Sequence, residues 1–396
     1  MKVKCYKYQI ECAIIAIISF FSCFNNAFLI DHIPYIGSVQ FILRISLCFL
    51  GAVILILKKN KLSSASNHIM LLFGIFLIST LLNNGNFYSS LIQFSYPMVI
   101  CVVLEFYFKE PKKIESVLHI WSILMLFVVA IDLLTEIKYP NGLYSTNLYS
   151  LYWFLGYKTE RAVYTFPLMV ISTFLSIKKS GKIGFKTVCV YVLILADSFM
   201  SQGMTIFIAF LIVAFLIIAL DHMYKDNLFI QKCIQTILNY KLVLLIYTIV
   251  TILVVAVENS QLVAVISAYF NKSAGISNRN VIWMHLIQAL NQSPLIGLGY
   301  KTTKEYTLIG GFVYATNAHN AILTLMINGG IFAIIIYLFL HIKVLKKIEN
   351  KIILCLSIFV YTNLLIGVTS AILVISSFSM LSIYLIEIER KTYSKL

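Results

Sequence analysis

Apolar stretches of about 20 residues recur along almost the whole chain, and no other feature limits its fold as strongly. Each stretch is long enough to cross the hydrocarbon core of a bilayer, which is about 30 Å thick, as an α-helix. Apolar residues make up 60% of the 396 residues and charged residues only 12%, whereas about a quarter of the residues in a soluble domain are charged. The sequence therefore predicts an all-α, polytopic integral membrane protein in which residues 1–396 form a single membrane domain.

Twelve membrane-spanning helices are predicted from the boundaries of these stretches. The first follows a basic segment and lacks a small-residue cleavage site, so we expect a retained helix rather than a signal peptide. The predicted spans are 8–30, 38–57, 67–82, 87–108, 115–134, 162–177, 186–200, 203–220, 242–257, 319–340, 351–368 and 371–387.

Lysine and arginine are distributed unequally between the two sides of these spans. If the N-terminus is inside, 23 of the 31 basic residues fall in cytoplasmic segments and seven in external segments, and Arg44 lies within a span. This is the asymmetry that the positive-inside rule describes. The net charge of +15 therefore indicates topology rather than a nucleic-acid partner, and we expect a multi-pass plasma-membrane protein with both termini in the cytoplasm.

Arg44 requires a partner, since a bare arginine inside a membrane costs about 2.5–3.5 kcal/mol on insertion scales. We expect a buried ion pair, with a polar cavity as the alternative. Candidate carboxylates are Glu11, Glu105, Asp132 and Asp197.

Several kinds of site have no signature in the chain. None of the eight cysteines lies in a predicted external segment, and no Cys/His cluster has metal-ligand spacing, so neither a disulfide framework nor a bound metal is expected. There is also no P-loop, no dinucleotide-binding glycine motif and no HExxH. We therefore expect no cofactor.

Two predicted external segments, residues 135–161 and 258–318, are much longer than the others. Long segments without regular structure are uncommon unless they serve a function, so these two form the candidate active-site region. The first is rich in aromatic residues, among them Tyr152, Trp153 and Tyr157. These residues fit either a belt at the level of the lipid headgroups or a surface on which sugar rings stack.

The second external segment contains a predicted amphipathic helix between Arg279 and Asn291, lying on the outer membrane surface. The apolar residues at helical spacing are Ile282, Trp283, Leu286, Ile287 and Leu290. Ser277 or Asn278 could cap this helix, and Pro294 with the glycines behind it would end it. Arg279 would then lie in the first turn, where backbone N–H groups and the helix dipole favour an anion.

Arginine is rare in this chain, at four of the 31 basic residues. Two of the four, Arg161 and Arg279, lie in the long external segments. A guanidinium binds phosphate through two parallel hydrogen bonds and stays protonated. We therefore interpret both residues as ligands of a phosphate group, the alternative being an ordinary contact with lipid headgroups.

A histidine between two asparagines stands where the second external segment meets the next span, in "YATNAHNAILTLMINGG", residues 314–330. If Asn317 caps the helix, His319 lies in its first turn, where the helix dipole opposes protonation of the imidazole. A neutral imidazole can accept a proton and act as a general base. The alternative is a polar helix cap, for which Asn317 or Asn320 alone would suffice.

Five motifs in order resemble the bacterial O-antigen polymerase and ligase superfamily. They are Arg161 near the start of a span, "SQGMT" at 201–205, "SNRNVIW" at 277–283, "SPLIGLGY" at 293–300 and "AHNAILTLMINGGIFA" at 318–333. The resemblance covers about residues 160–340. It implies a multispanning, GT-C-like architecture and metal-independent glycosyl transfer, at the outer face of the plasma membrane, from undecaprenyl-diphosphate-linked oligosaccharides.

The same resemblance implies roles for single residues. Arg161 and Arg279 would hold the diphosphate, and His319 would activate the acceptor hydroxyl. Accessory residues would be Ser201, Lys301, Asn317 and Asn320. The chain departs from the family at two positions: Gln202 stands where many relatives have a basic residue, and Asn328 where relatives often have an acidic one.

Three activities fit these observations. We favour polymerisation of repeat units into O-antigen or capsular polysaccharide, since both Gram-negative and Gram-positive envelopes need it. The alternatives are a ligase that transfers lipid-linked glycan to a surface acceptor, and a flippase or other transporter. Transporters place their binding groups near the membrane midplane, whereas the candidate residues here gather at one external face. Expected partners are the lipid-linked oligosaccharide, the bilayer, and a chain-length regulator and flippase of the same pathway.

Overall fold

The computed structural model describes residues 2–57, 62–145, 152–223, 236, 239–257, 279–311, 315–346, 348–367, 378 and 380–393. Within these ranges the chain forms helices and two isolated β-bridges but no strand. The helices are α1 (Lys2–Cys23), α2 (Ala27–His32), α3 (Ile36–Leu57), α4 (Ser64–Leu82), α5 (Phe87–Phe106), α6 (Pro111–Lys138), α7 (Ala162–Ser180), α8 (Phe185–Met200), α9 (Met204–Met223), α10 (Tyr240–Val257), α11 (Arg279–Leu290), α12 (Thr303–Gly310), α13 (Ala321–Leu345), α14 (Lys351–Gly367) and α15 (Leu381–Tyr393).

Six helices in the described ranges are long and apolar enough to cross a membrane: α3, α4, α5, α6, α9 and α13. Shorter apolar helices, among them α14, accompany them. The predicted all-α membrane protein is thereby confirmed. The predicted span 8–30 is divided into α1 and α2 by residues 24–26. Residues 371–377 and 379 of the predicted span 371–387 lie outside the described residues, and the helix described there begins at Leu381.

Four connections gather at one end of the bundle, which we call the loop end. They are the α4–α5 turn, the described parts of the α6–α7 connection (139–145 and 152–161), the α8–α9 turn, and residues 291–311 with 315–320. Asn83, after α4, donates through Nδ2 to the carbonyl oxygen of Gly297 at 3.0 Å, and Gly203, after α8, lies against the carbonyl of Lys158. Lys178 and Lys179 in the last turn of α7 and Lys351 at the start of α14 lie at the opposite end, which we call the basic end.

The described residues form two apolar cores. The larger fills the bundle and includes Trp121, Phe166 and Phe359. The smaller lies at the loop end, where α11 and α12 pack on the start of α13. Its members include Ile282, Trp283, Leu286, Leu290, Tyr306 and Ile327. The predicted amphipathic helix is thus present as α11, although Ile287, predicted on the apolar face, is 48% exposed.

Helix α13 is interrupted at two consecutive glycines. The backbone angles are φ −157° and ψ 15° at Gly329, and φ 63° and ψ −158° at Gly330, which no α-helix contains. The predicted span 319–340 is therefore two helical pieces and not one continuous helix. A membrane helix tolerates such a break only where the freed backbone groups find new partners.

The segment 294–300 supplies these partners. The Ile331 N–H donates to the carbonyl of Pro294 at 3.1 Å, and the Leu298 N–H donates to the carbonyl of Ile327 at 2.7 Å. Both ends of the break in α13 are therefore bound by main-chain groups of one segment. The "SPLIGLGY" and "INGG" motifs, which are about 30 residues apart in sequence, form a single joint in the structure.

This joint requires glycine on both sides. A Cβ atom on Gly330 would lie 2.5 Å from the backbone nitrogen of Ile296, and a Cβ atom on Gly297 would lie 2.6 Å from the nitrogen of Gly330. Both glycines also have positive φ, 63° and 76°, which other residues adopt only at a cost in free energy.

We expect Gly330→Ala to destabilise the protein in detergent. The combination of φ 63° and ψ −158° is adopted by almost no residue except glycine and costs an alanine about 1–3 kcal/mol, and the contacts with the main chain of residues 295–296 add to this. The matched control is Gly181→Ala at the end of α7, where φ is 68° but no atom lies within 4 Å of the added Cβ. For both variants, the measurement is the temperature at which monodisperse protein is lost on heating. Equal loss in the two variants would contradict the importance of the joint.

Arg44 is buried inside the bundle without a carboxylate partner among the described residues. Its Nε donates to Ser95 Oγ at 3.0 Å and its Nη1 to the carbonyl of Ser22 at 2.6 Å. The guanidinium lies over the ring of Tyr96, 3.8 Å from its centroid, where a cation–π interaction stabilises the charge. The predicted ion pair of Arg44 is therefore wrong, because polar backbone and an aromatic ring provide its solvation.

Candidate functional site

Arg161 is fully buried at the loop end, where it immediately precedes α7 and contacts three carboxylates. Its Nη1 lies 2.9 Å from Asp132 Oδ2 and 3.5 Å from Asp197 Oδ2, and it donates to Glu136 Oε1. The guanidinium also lies 5.5 Å from the ring centroid of Trp153. We call these four charged residues the buried charge cluster. In this arrangement the guanidinium is directed at carboxylates of the protein, so direct contact with a diphosphate would require the cluster to rearrange.

The sequence contains a signal for this cluster that our prediction missed. Asp132 and Glu136 are four residues apart in α6, so their side chains share one face of a span that is otherwise apolar. Intramembrane carboxylates are expensive and need a cation. The sequence analysis instead names Asp132 and Asp197 as candidate ion-pair partners of Arg44. Sequence alone does not indicate that the end of α8 lies beside the end of α6.

The three carboxylates also have the composition of a site for a hard cation. One oxygen from each lies within 4.8 Å of the others, and Mg²⁺ and Ca²⁺ prefer such oxygen ligands. The guanidinium of Arg161 already lies among these oxygens, so a metal ion would have to displace it. We therefore interpret the cluster as the binding site of the guanidinium.

The connection before Arg161 folds back over the end of α6. The Leu155 N–H donates to Asp132 Oδ1 at 2.7 Å, and Trp153 donates through Nε1 to the carbonyl of Tyr139 at 2.8 Å. Burial raises the pKa of the neighbouring Glu160 carboxyl, which accepts a hydrogen bond from the Tyr157 N–H. Trp153 is only 2% exposed, so its ring packs inside the protein and does not form an open surface on which a sugar could stack.

Ser201, predicted as an accessory residue, also lies beside this cluster. It ends α8, is 1% exposed, and donates through Oγ to the carbonyl of Ser198 at 3.0 Å. Its hydroxyl is thus used inside the α8–α9 turn. Ser201 ends the same helix, α8, whose last turn carries Asp197, a contact of Arg161. The accessory role of Ser201 stays a prediction.

His319 lies in a tight turn that enters α13. Asn320, and not Asn317, is the N-cap: its Oδ1 accepts from the Leu323 N–H at 3.0 Å. Asn317 Oδ1 accepts instead from the N–H of His319 at 2.7 Å, and His319 has a left-handed backbone with φ 48°. His319 is therefore one residue before the cap rather than in the first turn, and it is half-buried. A positive charge beside a helix N-terminus is still disfavoured there.

Helix α11 is attached to this turn through Trp283. Its Nε1 donates to the carbonyl of Ala318 at 2.8 Å, and both residues are buried. Arg279, the first residue of α11, is four residues before Trp283 and so lies on the same helix face about 6 Å along the axis. The predicted pair Arg279 and His319 thus belongs to one structural unit, which we call the histidine unit.

Trp283→Phe should therefore impair the arrangement of His319 while preserving the small core. Phenylalanine fills most of the same space but cannot donate to Ala318, and a hydrogen bond of this kind contributes about 0.5–1.5 kcal/mol. We expect a several-fold lower rate of product formation with little change in the yield of folded protein. The exposed Met284 offers a control on the same helix, as Met284→Leu. An unaltered rate in Trp283→Phe would show that the turn keeps its geometry without this bond.

Lys301 is the remaining predicted accessory residue, and it belongs to neither group. Its Nζ lies 3.9 Å from Glu305 Oε1, which is an ion pair one helical turn apart at the start of α12. Lys301 lines a cavity between α11 and α12.

A comparison with protein families identifies the part of the chain that contains these groups. Residues 164–338 match the model of the family described as O-antigen ligase. This region belongs to the O-antigen polymerase and ligase superfamily. The match covers somewhat less than half of the chain; it begins three residues after Arg161 and includes Arg279 and His319. No curated protein and no solved structure matches the chain.

Membership of the O-antigen polymerase and ligase superfamily confirms the resemblance stated from the motifs. It indicates a glycosyl-transferring membrane protein that acts on a lipid-linked glycan. The α13 joint and the histidine unit both lie inside the matched region, since segment 294–300 and residues 279–320 fall between its ends.

Proposed function

We propose that this protein polymerises undecaprenyl-diphosphate-linked oligosaccharide repeat units into O-antigen or capsular polysaccharide. In this proposal twelve spans form a GT-C-like bundle in the plasma membrane, with the basic end in the cytoplasm and the loop end outside. A chain-length regulator and a flippase of the same pathway would be its partners.

The observation that carries the proposal is the histidine unit. A half-buried imidazole stands before the N-terminus of α13, and the bond from Trp283 to Ala318 holds it beside the helix that begins with Arg279. Glycosyl transfer from a lipid diphosphate needs two groups, a base and a guanidinium. Both lie at the interface end of a membrane bundle, where a lipid carries its diphosphate.

In the proposed reaction His319 accepts the proton of an acceptor sugar hydroxyl. The hydroxyl oxygen bonds to the anomeric carbon of the donor while the bond from that carbon to the phosphate oxygen breaks. The leaving undecaprenyl diphosphate takes the bonding electron pair, and Arg279 stabilises the developing negative charge. Arg161 contributes to the same charge only if it leaves its carboxylates, and its role as a diphosphate ligand stays a prediction.

Incubation of the purified protein with lipid-linked repeat units tests the proposal. We expect a ladder of longer glycans on a gel. Because the proposed transfer is independent of metals, EDTA should leave this ladder unchanged. The absence of any product longer than one repeat unit from folded protein would contradict the polymerase.

A ligase is the second candidate, and the description of the matching family favours it. A strain that lacks the protein separates the two activities. Single repeat units attached to the surface acceptor indicate that a polymerase was lost, whereas full-length lipid-linked glycan with none attached indicates that a ligase was lost.

A transporter is less well supported. The break in α13 resembles the discontinuous helices of transporters, whose exposed ends bind substrate. Here the main chain of segment 294–300 occupies both ends of the break, so these groups are not available to a solute. Product formation in detergent, without a membrane to cross, would separate an enzyme from a transporter.

A further inference from the structure

A cavity of about 590 Å³ opens at the loop end, apart from both groups of candidate residues. It lies between the turn after α4, one face of α11, and α12. Its polar lining consists of Asn83, His285, Gln288, Gln292 and Lys301. The volume is within the range of about 300–1,000 Å³ that small-molecule sites occupy.

The cavity face of α11 follows from its periodicity. The helix buries Ile282, Trp283 and Leu286 towards α13, which turns residues 285, 288, 289 and 292 towards α12. Gln288 and Gln292 are exposed, and their side-chain amides have no hydrogen-bond partner within the described part of the chain. The amides are therefore available to a ligand.

The hydrogen-bonding capacity of the lining indicates the class of ligand. Asn83 already uses its amide N–H groups on the carbonyls of Ser79 and Gly297, so that its Oδ1 remains as an acceptor. His285 Nδ1 lies 2.9 Å from the carbonyl of Gly310, which can only accept. Nδ1 therefore carries a proton, and in the neutral ring Nε2 is an acceptor.

Donors and acceptors are therefore mixed around one space. The two glutamines supply both kinds of group, and Lys301 supplies donors only. Since Glu305 offsets the charge of Lys301 at 3.9 Å, the cavity is not built for a strong anion. Sugar hydroxyls both donate and accept, and the aliphatic side chains of Leu298 and Ile309 suit the apolar face of a sugar ring.

We propose that this cavity binds sugar residues of the glycan, at a distance from the hydroxyl that reacts. His285 follows Trp283 by two residues in α11, so the cavity and the His319 turn lie on different sides of the same helix. A glycan whose end reaches His319 would cross α11 to enter the cavity. This inference rests on the proposed function and adds a subsite to it.

The test measures binding and transfer separately. The probe is the free oligosaccharide released by mild acid from the producing strain's own surface polysaccharide, and its binding to purified full-length protein is measured by calorimetry. We expect the double variant Gln288→Ala and Gln292→Ala to bind at least tenfold more weakly. The matched control is Asn291→Ala, an exposed amide at the end of the same helix that does not line the cavity.

Transfer kinetics provide the second measurement. The double variant should show at least a tenfold higher KM for the acceptor oligosaccharide with kcat unchanged. Lys301→Ala should raise KM as well, whereas the exposed Lys304→Ala should not. Wild-type affinity and KM in the double variant would overturn the proposal, and so would the absence of any binding to the wild-type protein.

Failure of the subsite and failure of the proposed function give different results. If the wild-type protein makes polymer while the double variant binds and polymerises normally, the subsite is wrong and the function stands. If the wild-type protein binds the oligosaccharide through the glutamines but makes no product, the proposed function is wrong and the binding site stands.

Discussion

Arg161→Ala is expected to reduce the amount of folded protein in the membrane severely. The substitution leaves Asp132, Glu136 and Asp197 buried together without a cation. Removing one partner of a buried ion pair costs about 3–5 kcal/mol because the remaining charge is uncompensated. Folded protein is measured as the monodisperse fraction after detergent extraction. A normal yield of folded Arg161→Ala would contradict this view of the buried charge cluster.

This expectation changes how a loss of activity at Arg161 should be interpreted. An inactive Arg161→Ala protein says nothing about diphosphate binding if it does not fold. A better variant combines Arg161→Met with Asp132→Asn, Glu136→Gln and Asp197→Asn, which removes the unpaired charges while keeping the shapes of the carboxylates. Asparagine at 132 also keeps an acceptor for the Leu155 N–H.

The combined variant separates two roles of Arg161. If it folds and remains inactive, the charges of the buried charge cluster contribute to the reaction beyond stability. If it folds and makes polymer at a normal rate, the guanidinium serves only the fold, and Arg161 is not a ligand of the diphosphate.

His319→Asn is expected to abolish most of the transfer activity while leaving the protein folded. Asparagine tolerates a left-handed backbone, so it accommodates the φ of 48° at this position. It cannot take a proton, and loss of a general base lowers the rate by about 10²–10⁴-fold. The measurement is the initial rate of glycan elongation by purified protein.

The control for this variant is His32→Asn. His32 is exposed and also lies at the loop end, where it ends α2 and bonds to the carbonyl of Phe28. It should retain activity. Polymer of normal length and rate from His319→Asn would rule out proton transfer to this residue, whatever its position.

The sequence predicts the positions of the helices well, but not which side chains contact one another across different helices. Apolar periodicity predicts α3, α5 and α8 to within two residues at each end, because burial in lipid or in the core acts on every turn of a helix. The ion pair of Arg161 and the aromatic contact of Arg44 could not be predicted from apolar periodicity. Both depend on which helix ends become neighbours, and that is set by packing across the whole bundle.

The candidate site was predicted in part. The motifs brought His319, Arg279 and the glycine segments into one hypothesis, and the structure connects the first two through Trp283 and the last two through backbone hydrogen bonds. The cap of α13 was placed three residues early, since Asn317 and Asn320 are equally good capping residues. Their hydrogen bonds distinguish them in the structure, since the Leu323 N–H donates to Asn320 and the His319 N–H donates to Asn317.

The joint between segment 294–300 and α13 is made of main-chain atoms. Its shape therefore depends little on which side chains occupy positions 295 and 296, provided that Gly297 and Gly330 remain. A chimaera that receives a foreign stretch between residues 300 and 320 should keep the two membrane pieces of α13 aligned. Shortening the stretch between 294 and 299 by one residue should misalign them, so deletions here would be far less tolerated than exchanges.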